Sequence, residues 1–269
     1  MFSLSRLLAG FAICLIGNLS TRAATLPSLQ VPRAKHTPAI TAAEDDPAWN
    51  EAARIDGLQL SENAAFKPKS TPQTTILLKW DLTNLYVRFI CEGDDIFSPF
   101  SGRDAPYYKG DVVEVFLDPK GDAREFVEIE VSPNNGVLDQ IYLCTARPAW
   151  GPDGVLKPEI VGRDMWVFPS WNLDGLRTAA GKWKLKDGSY RWIVDMAIPA
   201  VVLRRTGRGK YEPMTIRANF LRYDFPLKKD GANGNERNFV PLNWSPVAAG
   251  RPHRSPGRMG YLQLVETSK

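Results

Sequence analysis

Tyr107-Tyr-Lys-Gly-Asp-Val-Val-Glu-Val-Phe-Leu-Asp-Pro119 decides the fold of this chain, because an aromatic pair and a Lys-Gly turn lead directly into an alternating β-strand. Successive side chains of a strand point to opposite faces of its sheet. The two faces then hold Asp111, Val113, Val115 and Leu117 on one side, and Val112, Glu114, Phe116 and Asp118 on the other. Glu114 is thus predicted to stand among apolar neighbours near Tyr108, either in a polar binding site or in a solvated salt bridge.

The N-terminus has the pattern of an export signal. Arg6 precedes an apolar run at residues 7–16, and the small residues of Thr21-Arg-Ala23 suit cleavage after Ala23 or Ala24. The apolar run is too short to span a bilayer as a helix. We therefore expect a signal peptide at residues 1–23 and an exported protein, periplasmic or extracellular, that is not held in the membrane after cleavage.

Charge and length restrict the classes of function that remain. The formal net charge is +4, and loss of Arg6 and Arg22 with the signal lowers it to +2. Such a balance is not that of a nucleic-acid-binding protein. No linker divides the rest of the chain, so we expect an extended arm at residues 24–38 and one domain at residues 39–269.

Strand patterns dominate the chain after the signal. The predicted strands are residues 74–80, 85–91, 112–117, 125–131, 137–144, 190–198, 215–223 and 261–265. Turn-forming residues separate them, as at Asp81-Leu-Thr-Asn84, which is predicted to close a hairpin. Short helices are expected only at residues 46–53, with Asp46 as N-cap, and at residues 199–204. Many short strands without a β-α rhythm predict an all-β fold, an antiparallel β-sandwich with one or two short helices.

Cys91 and Cys144 both lie at the ends of apolar runs. An exported protein can form a disulfide between them, but two buried free thiols are an equal alternative because sequence does not give their separation. The chain has two histidines, His36 and His253, and neither is near a cysteine in sequence. A thiol nucleophile is therefore not expected.

An ordered set of motifs carries a resemblance to a known family. The motifs are Trp80-Asp-Leu-Thr-Asn-Leu-Tyr-Val87, the Tyr107–Asp118 stretch, Phe126-Val-Glu-Ile-Glu-Val-Ser-Pro133, Trp171-Asn-Leu-Asp-Gly-Leu-Arg177, Trp192-Ile-Val-Asp-Met-Ala-Ile-Pro199, Ala218-Asn-Phe-Leu-Arg222, Trp244-Ser-Pro246 and residues 253–264. Together they resemble the family 9 carbohydrate-binding modules, in the wider DOMON-like group of immunoglobulin-like or jelly-roll β-sandwiches. The likeness covers nearly all of the exported chain and is greatest to stand-alone exported proteins of this kind.

The resemblance implies non-catalytic binding of a terminal sugar of an oligo- or polysaccharide, such as xylan, in support of carbohydrate catabolism. In this family two aromatic side chains clamp the sugar, and polar groups bond its hydroxyls. By position, Tyr108 is the first clamp, Asp111 and Glu114 are the acids of the binding strand, and Trp244 is the expected second clamp. Trp244 as a core tryptophan is the alternative.

Two further residues of the family pattern lie on the strand at residues 215–223. Asn219 and Arg222 are three apart and so lie on opposite faces of a regular strand, which lets only one of them reach a ligand. For Arg222 the alternative is a surface ion pair with Asp224. The chain also departs from the xylanase-linked modules at Phe126-Val-Glu-Ile-Glu130, where acids replace an arginine donor.

Other classes of function stay open beside sugar binding. A glycoside hydrolase would need two carboxylates about 5 to 10 Å apart, and Glu114 with Glu128 or Glu130 are the candidates. A haem-binding DOMON-like module would need axial ligands such as Met with His or Lys, whereas His36 lies in the arm and His253 in a Pro-rich loop. A structural or partner-binding sandwich is a further alternative, and it would need neither a catalytic pair nor a haem ligand. The chain carries no phosphate-binding loop, zinc motif or recognisable nucleophile–histidine–acid order.

A structural calcium ion is the one cofactor that the sequence suggests. Asp94, Asp95 and Asp104, with Asp111, place oxygen donors near one predicted loop, and calcium takes six to eight oxygen ligands. A solvated acidic loop is the alternative. The sequence leaves the oligomeric state open.

Overall fold

The computed structural model describes residues 26–144, 165–228, 235–247 and 251–267, so the predicted signal peptide lies outside the described residues. Strands account for most of the regular structure in these ranges. They are β1 (Ser28–Pro32), β2 (Ala53–Asp56), β3 (Gln59–Leu60), β4 (Thr74–Trp80), β5 (Asn84–Gly93), β6 (Val112–Asp118), β7 (Glu125–Val131), β8 (Val137–Cys144), β9 (Met165–Phe168), β10 (Arg177–Lys184), β11 (Tyr190–Pro199), β12 (Met214–Asp224), β13 (Val240–Asn243) and β14 (Gly260–Val265).

The strands form two sheets packed face to face. The larger sheet has the order β1-β14-β12-β6-β7-β8-β9, with β13 added beside β12 and β3 beside β13, and the smaller has the order β10-β11-β5-β4-β2. Neighbours are antiparallel except β1 and β14, which run parallel. The predicted all-β sandwich is confirmed. Strand β1 lies in the segment predicted as an extended arm, and its Val31 is fully buried.

The main core lies between the two sheets. Val113, Val115 and Leu117 of β6 face it, as the alternation of the sequence predicts. Phe220 of β12 meets Phe89 of β5 edge to face, with ring centres 6.2 Å apart. Burying these side chains supplies most of the driving force for folding.

A second apolar layer covers the other face of the larger sheet, which we call the outer face. Its members come from four neighbouring strands and from the segments that fold over them: Tyr107, Val112, Phe116, Phe126, Leu138, Tyr142, Cys144, Leu221, Tyr223, Val247 and Met259. Strand β6 is therefore buried on both faces. The same layer keeps a carboxylate on this face away from bulk water, and such burial raises the pKa of the carboxyl group.

The two predicted helices are shorter than a regular helix. Pro47–Trp49 forms a single 3₁₀ turn, and the Asp46 carboxylate caps it by accepting the Ala48 N–H at 2.9 Å. It ends early because β2 begins at Ala53 and pairs with β4. The second is the 3₁₀ segment Ala200–Thr206.

Cys91 and Cys144 are both free and buried. Cys91 lies on β5 of the smaller sheet and Cys144 at the end of β8 in the larger sheet, so the alternative of two free thiols is the one observed. Burial raises the pKa of Cys91 to about 12 and that of Cys144 to about 11, which keeps both protonated and unreactive. No helix within the described ranges is long and apolar enough to cross a lipid bilayer.

Candidate functional site

A cavity of about 470 Å³ opens on the outer face of the larger sheet. Its walls are mostly aromatic and its polar groups are mostly acidic. The lining residues are Tyr108, Lys109, Glu114, Glu128, Glu130, Gln140, Tyr142, Tyr223, Phe225, Phe239, Pro252 and His253. An apolar cleft with a few convergent polar groups is the usual form of a small-molecule site.

Tyr108 is presented to this cavity by a 3₁₀ turn at Tyr107–Lys109. The buried Tyr107 anchors the turn, because its hydroxyl donates to the carbonyl of Gly102 and its ring fills the space beside Gly136. Tyr108 itself is 46% exposed. The Lys109 Nζ lies 5.7 Å from the centre of the Tyr108 ring. The turn therefore holds one aromatic side chain inside and offers the next to a ligand.

Phe239 is the second aromatic residue of the cavity that remains open to solvent, at 39% exposure. Its ring centre lies 4.9 Å from that of Tyr223 and 5.2 Å from that of Phe225. These contacts fix its orientation without covering it. Sequence patterns gave no signal for Phe239, because it lies in the irregular segment before β13.

Three glutamates form the acidic part of the cavity, which we call the glutamate cluster: Glu114, Glu128 and Glu130. Glu114 of β6 stands directly opposite Glu130 of β7, and Glu128 lies two residues earlier on the same face. One carboxylate oxygen of each lies within 4.8 Å of one from the other two. Glu114 is 1% and Glu130 2% exposed. Like charges directly opposite each other on neighbouring strands destabilise a sheet. The repulsion between these glutamates must therefore be offset.

Hydrogen bonds satisfy the cluster only in part. The Tyr142 hydroxyl donates to Glu128 Oε2 at 2.8 Å, and the Gln140 amide donates to the same oxygen. The Tyr108 backbone N–H opposes the rise in the pKa of Glu130. One oxygen of Glu114 and one of Glu130, both Oε2, are buried without a partner. Orphaned buried acceptors are rare in native proteins and call for a water, an ion or a ligand.

The pKa of each carboxyl group in the cluster is raised. Burial is the main cause for Glu114, followed by the charges of Glu130 and Glu128. Burial and then the charge of Glu128 raise the pKa of Glu130. Burial also raises the pKa of Glu128, although its hydrogen bonds oppose the change. Within the described part of the chain, no lysine or arginine forms an ion pair with any of the three.

His253 closes one side of the cavity. Its ring stacks on that of Tyr142 at 5.8 Å between centres. Burial, together with the charges of Arg251 and Arg254, lowers the pKa of His253 to about 4. The imidazole is therefore neutral near pH 7 and can donate one hydrogen bond and accept another.

Of the predicted site residues, Tyr108 and Glu114 line the cavity and Asp111 does not. The Asp111 carboxylate accepts the backbone N–H of Phe97 at 2.7 Å and that of Phe225 at 2.8 Å. It joins two loops beside the cavity. Burial, followed by the charge of Asp224, raises its pKa to about 7.

Asn219 and Arg222 lie on opposite faces of β12, as alternation requires, and neither lines the cavity. Asn219 is held by the backbone of Ser245, donating to its carbonyl at 3.1 Å and accepting its N–H at 2.9 Å. Arg222 is fully buried between the sheets, 2.6 Å from Asp224 and with its guanidinium 5.7 Å from the Trp192 ring centre. The expected surface ion pair with Asp224 is thus a buried one.

Trp244 is not brought to the cavity either. Its ring packs on Phe220, with centres 5.5 Å apart, and approaches Gly260 so closely that a Cβ there would lie 2.6 Å from the indole. Trp244 contacts the main core between the sheets. Its surroundings are those of the core alternative, and Phe239 is the open aromatic residue that accompanies Tyr108.

The structure does not gather the predicted calcium ligands Asp94, Asp95 and Asp104. Asp95 pairs with Arg237 at 2.7 Å, and Asp104 lies 3.7 Å from Arg103. In the described ranges, the group of three acids close enough to share one metal ion is the glutamate cluster.

Comparison with known proteins relates this geometry to a family. Residues 41–133 match the family model described as carbohydrate family 9 binding domain-like, which confirms the resemblance drawn from the motifs. The matched segment contains Tyr108 and the whole glutamate cluster. A search of curated proteins finds no match.

Solved structures share the fold at low sequence identity. A Bacteroides uniformis protein described as having a proposed carbohydrate-binding role has a TM-score of 0.60 and 18% identity, with 90% of this chain and 100% of that chain covered. A family 9 carbohydrate-binding module from Caldicellulosiruptor kristjanssonii has a TM-score of 0.53 and 16% identity in its cellotriose complex, covering 90% and 96%. Its glucose complex has a TM-score of 0.52 and 16% identity, covering 89% and 97%.

Proposed function

We propose that the cavity on the outer face binds a sugar of an oligo- or polysaccharide without catalysing its cleavage. The observation that supports this most is the pairing of two solvent-open aromatic side chains, Tyr108 and Phe239, with buried carboxylates in one cavity. The match of residues 41–133 to a carbohydrate-binding family supports the same function.

The chemistry of a pyranose suits this lining. Its axial C–H groups pack on aromatic faces, and such contacts contribute on the order of 1 kcal/mol beyond the area buried. Its hydroxyls donate to the acceptors of the glutamate cluster, and Gln140 and the neutral His253 can bond others. With few contacts, a dissociation constant in the micromolar to millimolar range is expected, about 4 to 8 kcal/mol.

The placement of the acids favours binding over hydrolysis. The two carboxylates of a glycosidase flank the bond that they break. Glu114 and Glu130 are instead cross-strand neighbours on one surface, with Glu128 beside them on the same face. We infer a non-catalytic role in support of carbohydrate catabolism, with xylan among the candidate ligands. Release of reducing sugar or aryl alcohol that is lost in folded Glu114→Gln would contradict this role.

Calorimetric titration with xylo-, cello- and galacto-oligosaccharides tests the proposal. Tyr108→Ala and Phe239→Ala should each weaken binding at least tenfold, about 1.4 kcal/mol. Tyr261→Ala is the matched control, because Tyr261 is comparably exposed, at 37%, on β14 and does not line the cavity. It should bind like the unmodified protein. Absence of binding heat for every ligand, with the fold intact, would favour a structural or partner-binding sandwich.

A further inference from the structure

No ion pair within the described part of the chain compensates the glutamate cluster. Three carboxylates are buried within 4.8 Å of one another, and two of their oxygens have no hydrogen-bond partner. Buried carboxylates take up a proton, pair with a cation or coordinate a metal. The nearby lysine does not serve, because the Lys109 Nζ lies over the Tyr108 ring.

We propose that Glu114, Glu128 and Glu130 bind a calcium ion at the base of the cavity. Calcium–oxygen bonds are about 2.3–2.6 Å, so two ligands of one ion lie up to about 5 Å apart. The oxygen separations of the cluster fall within that limit. The orphaned Oε2 atoms of Glu114 and Glu130 become ligands, which accounts for their lack of protein partners.

Groups around the cluster form hydrogen bonds to one of its carboxylates, as the neighbours of metal ligands commonly do. Tyr142 and Gln140 donate to Glu128, so this carboxylate is oriented by outer contacts. Such contacts tune ligands and commonly accompany metal sites. Oxygen-only donors select hard ions, and the flexible coordination of calcium suits three glutamates better than the strict octahedron of magnesium.

The proposed ion also has a role in recognition. Calcium takes six to eight oxygens, and three carboxylates do not fill that number unless all are bidentate. The remaining positions open toward the cavity, where two neighbouring sugar hydroxyls can occupy them. This second part rests on the proposed function. It explains how an acidic site can hold a polyol.

Terbium, a luminescent substitute for calcium, tests the ion site without any sugar. Tyr142 and Tyr223 line the same cavity and can sensitise its emission. The protein should show sensitised emission that calcium displaces, and both Glu114→Gln and Glu130→Gln should weaken terbium binding at least tenfold. Asp174→Asn, at an exposed position outside the cluster, should leave it unchanged. No emission from the folded protein, or emission that persists in both glutamine variants, would overturn the site.

Titration of the oligosaccharides with calcium and with a chelator then separates the two proposals. Binding should fall at least tenfold in the chelator. Equal sugar binding in both conditions would overturn the bridging role of the ion while supporting the proposed function. Calcium binding without sugar binding in either condition would leave the ion site standing and contradict the proposed function.

Discussion

The two faces of strands β6 and β7 are equally buried but differ in what they hold. The inner face carries Val113, Val115 and Ile129, which pack between the sheets. The outer face carries Phe116 with the glutamate cluster in a partly aromatic cavity. Burial alone therefore does not distinguish core from site in this protein. The distinction lies in whether the buried groups satisfy one another.

Truncation of a side chain on the inner face should lower the free energy of unfolding without changing the sugar affinity. Phe220→Ala removes a fully buried ring that meets Phe89 at 6.2 Å. We expect a loss of about 3–5 kcal/mol in the free energy of unfolding, because a cavity is left behind. Urea denaturation measures this loss. Sugar affinity of the protein that remains folded should not change, and a selective loss of affinity would show that the two faces are not separate.

Trp244→Ala tests whether Trp244 belongs to the core or to the sugar site. Because Trp244 packs on Phe220 and beside Gly260, we expect a loss of about 3 kcal/mol in stability with unchanged sugar affinity. The melting temperature and the dissociation constant should be measured on the same sample. A small melting shift with a tenfold loss of affinity would restore Trp244 as the second aromatic clamp, as the sequence motifs suggested.

Substitutions in the glutamate cluster on the outer face should change the free energy of unfolding through their charge rather than through their volume. In a chelator, Glu130→Gln should raise the free energy of unfolding by about 1 kcal/mol, because it removes a like charge directly opposite Glu114. With calcium present the variant should instead be less stable than the unmodified protein, since it lacks one ligand of the ion. Thermal melts of both proteins, in the chelator and in calcium, measure the two differences. A variant that is less stable than the unmodified protein in the chelator as well would mean that the cluster stabilises the fold without an ion.

Much of the sandwich could be predicted because alternation and turn signals mark central strands. Strands β4, β7 and β8 have the predicted bounds. The edge strand β10 was missed, since it is partly exposed and shows no apolar alternation, and β13, between β12 and β3, was missed because it contains Pro241. Their pairing depends on the sheet beside them rather than on local pattern.

The site was predictable only within the motif that leads into β6. Tyr108 lies on the 3₁₀ turn before this strand and Glu114 on the strand itself, so their shared location follows from one continuous stretch of sequence. Asn219 and Trp244 do not line the cavity, because the path of the chain after β12 decides which side chains reach it. Phe239 lies on an irregular segment and His253 on a single 3₁₀ turn, and neither has a periodic signal. The glutamate cluster required the register of β6 against β7.

Nuclear magnetic resonance titration of the labelled protein with the oligosaccharide that binds in calorimetry tests whether the outer-face cavity is the sugar site. Amide shifts should concentrate at Tyr108, Lys109, Phe239 and His253, around this cavity. A second cavity, of about 530 Å³ and lined in part by Glu44, Trp49 and Arg88, provides the internal contrast and should stay unchanged. Shifts confined to that second cavity, with none around Tyr108, would show that the sugar binds elsewhere than in the outer-face cavity.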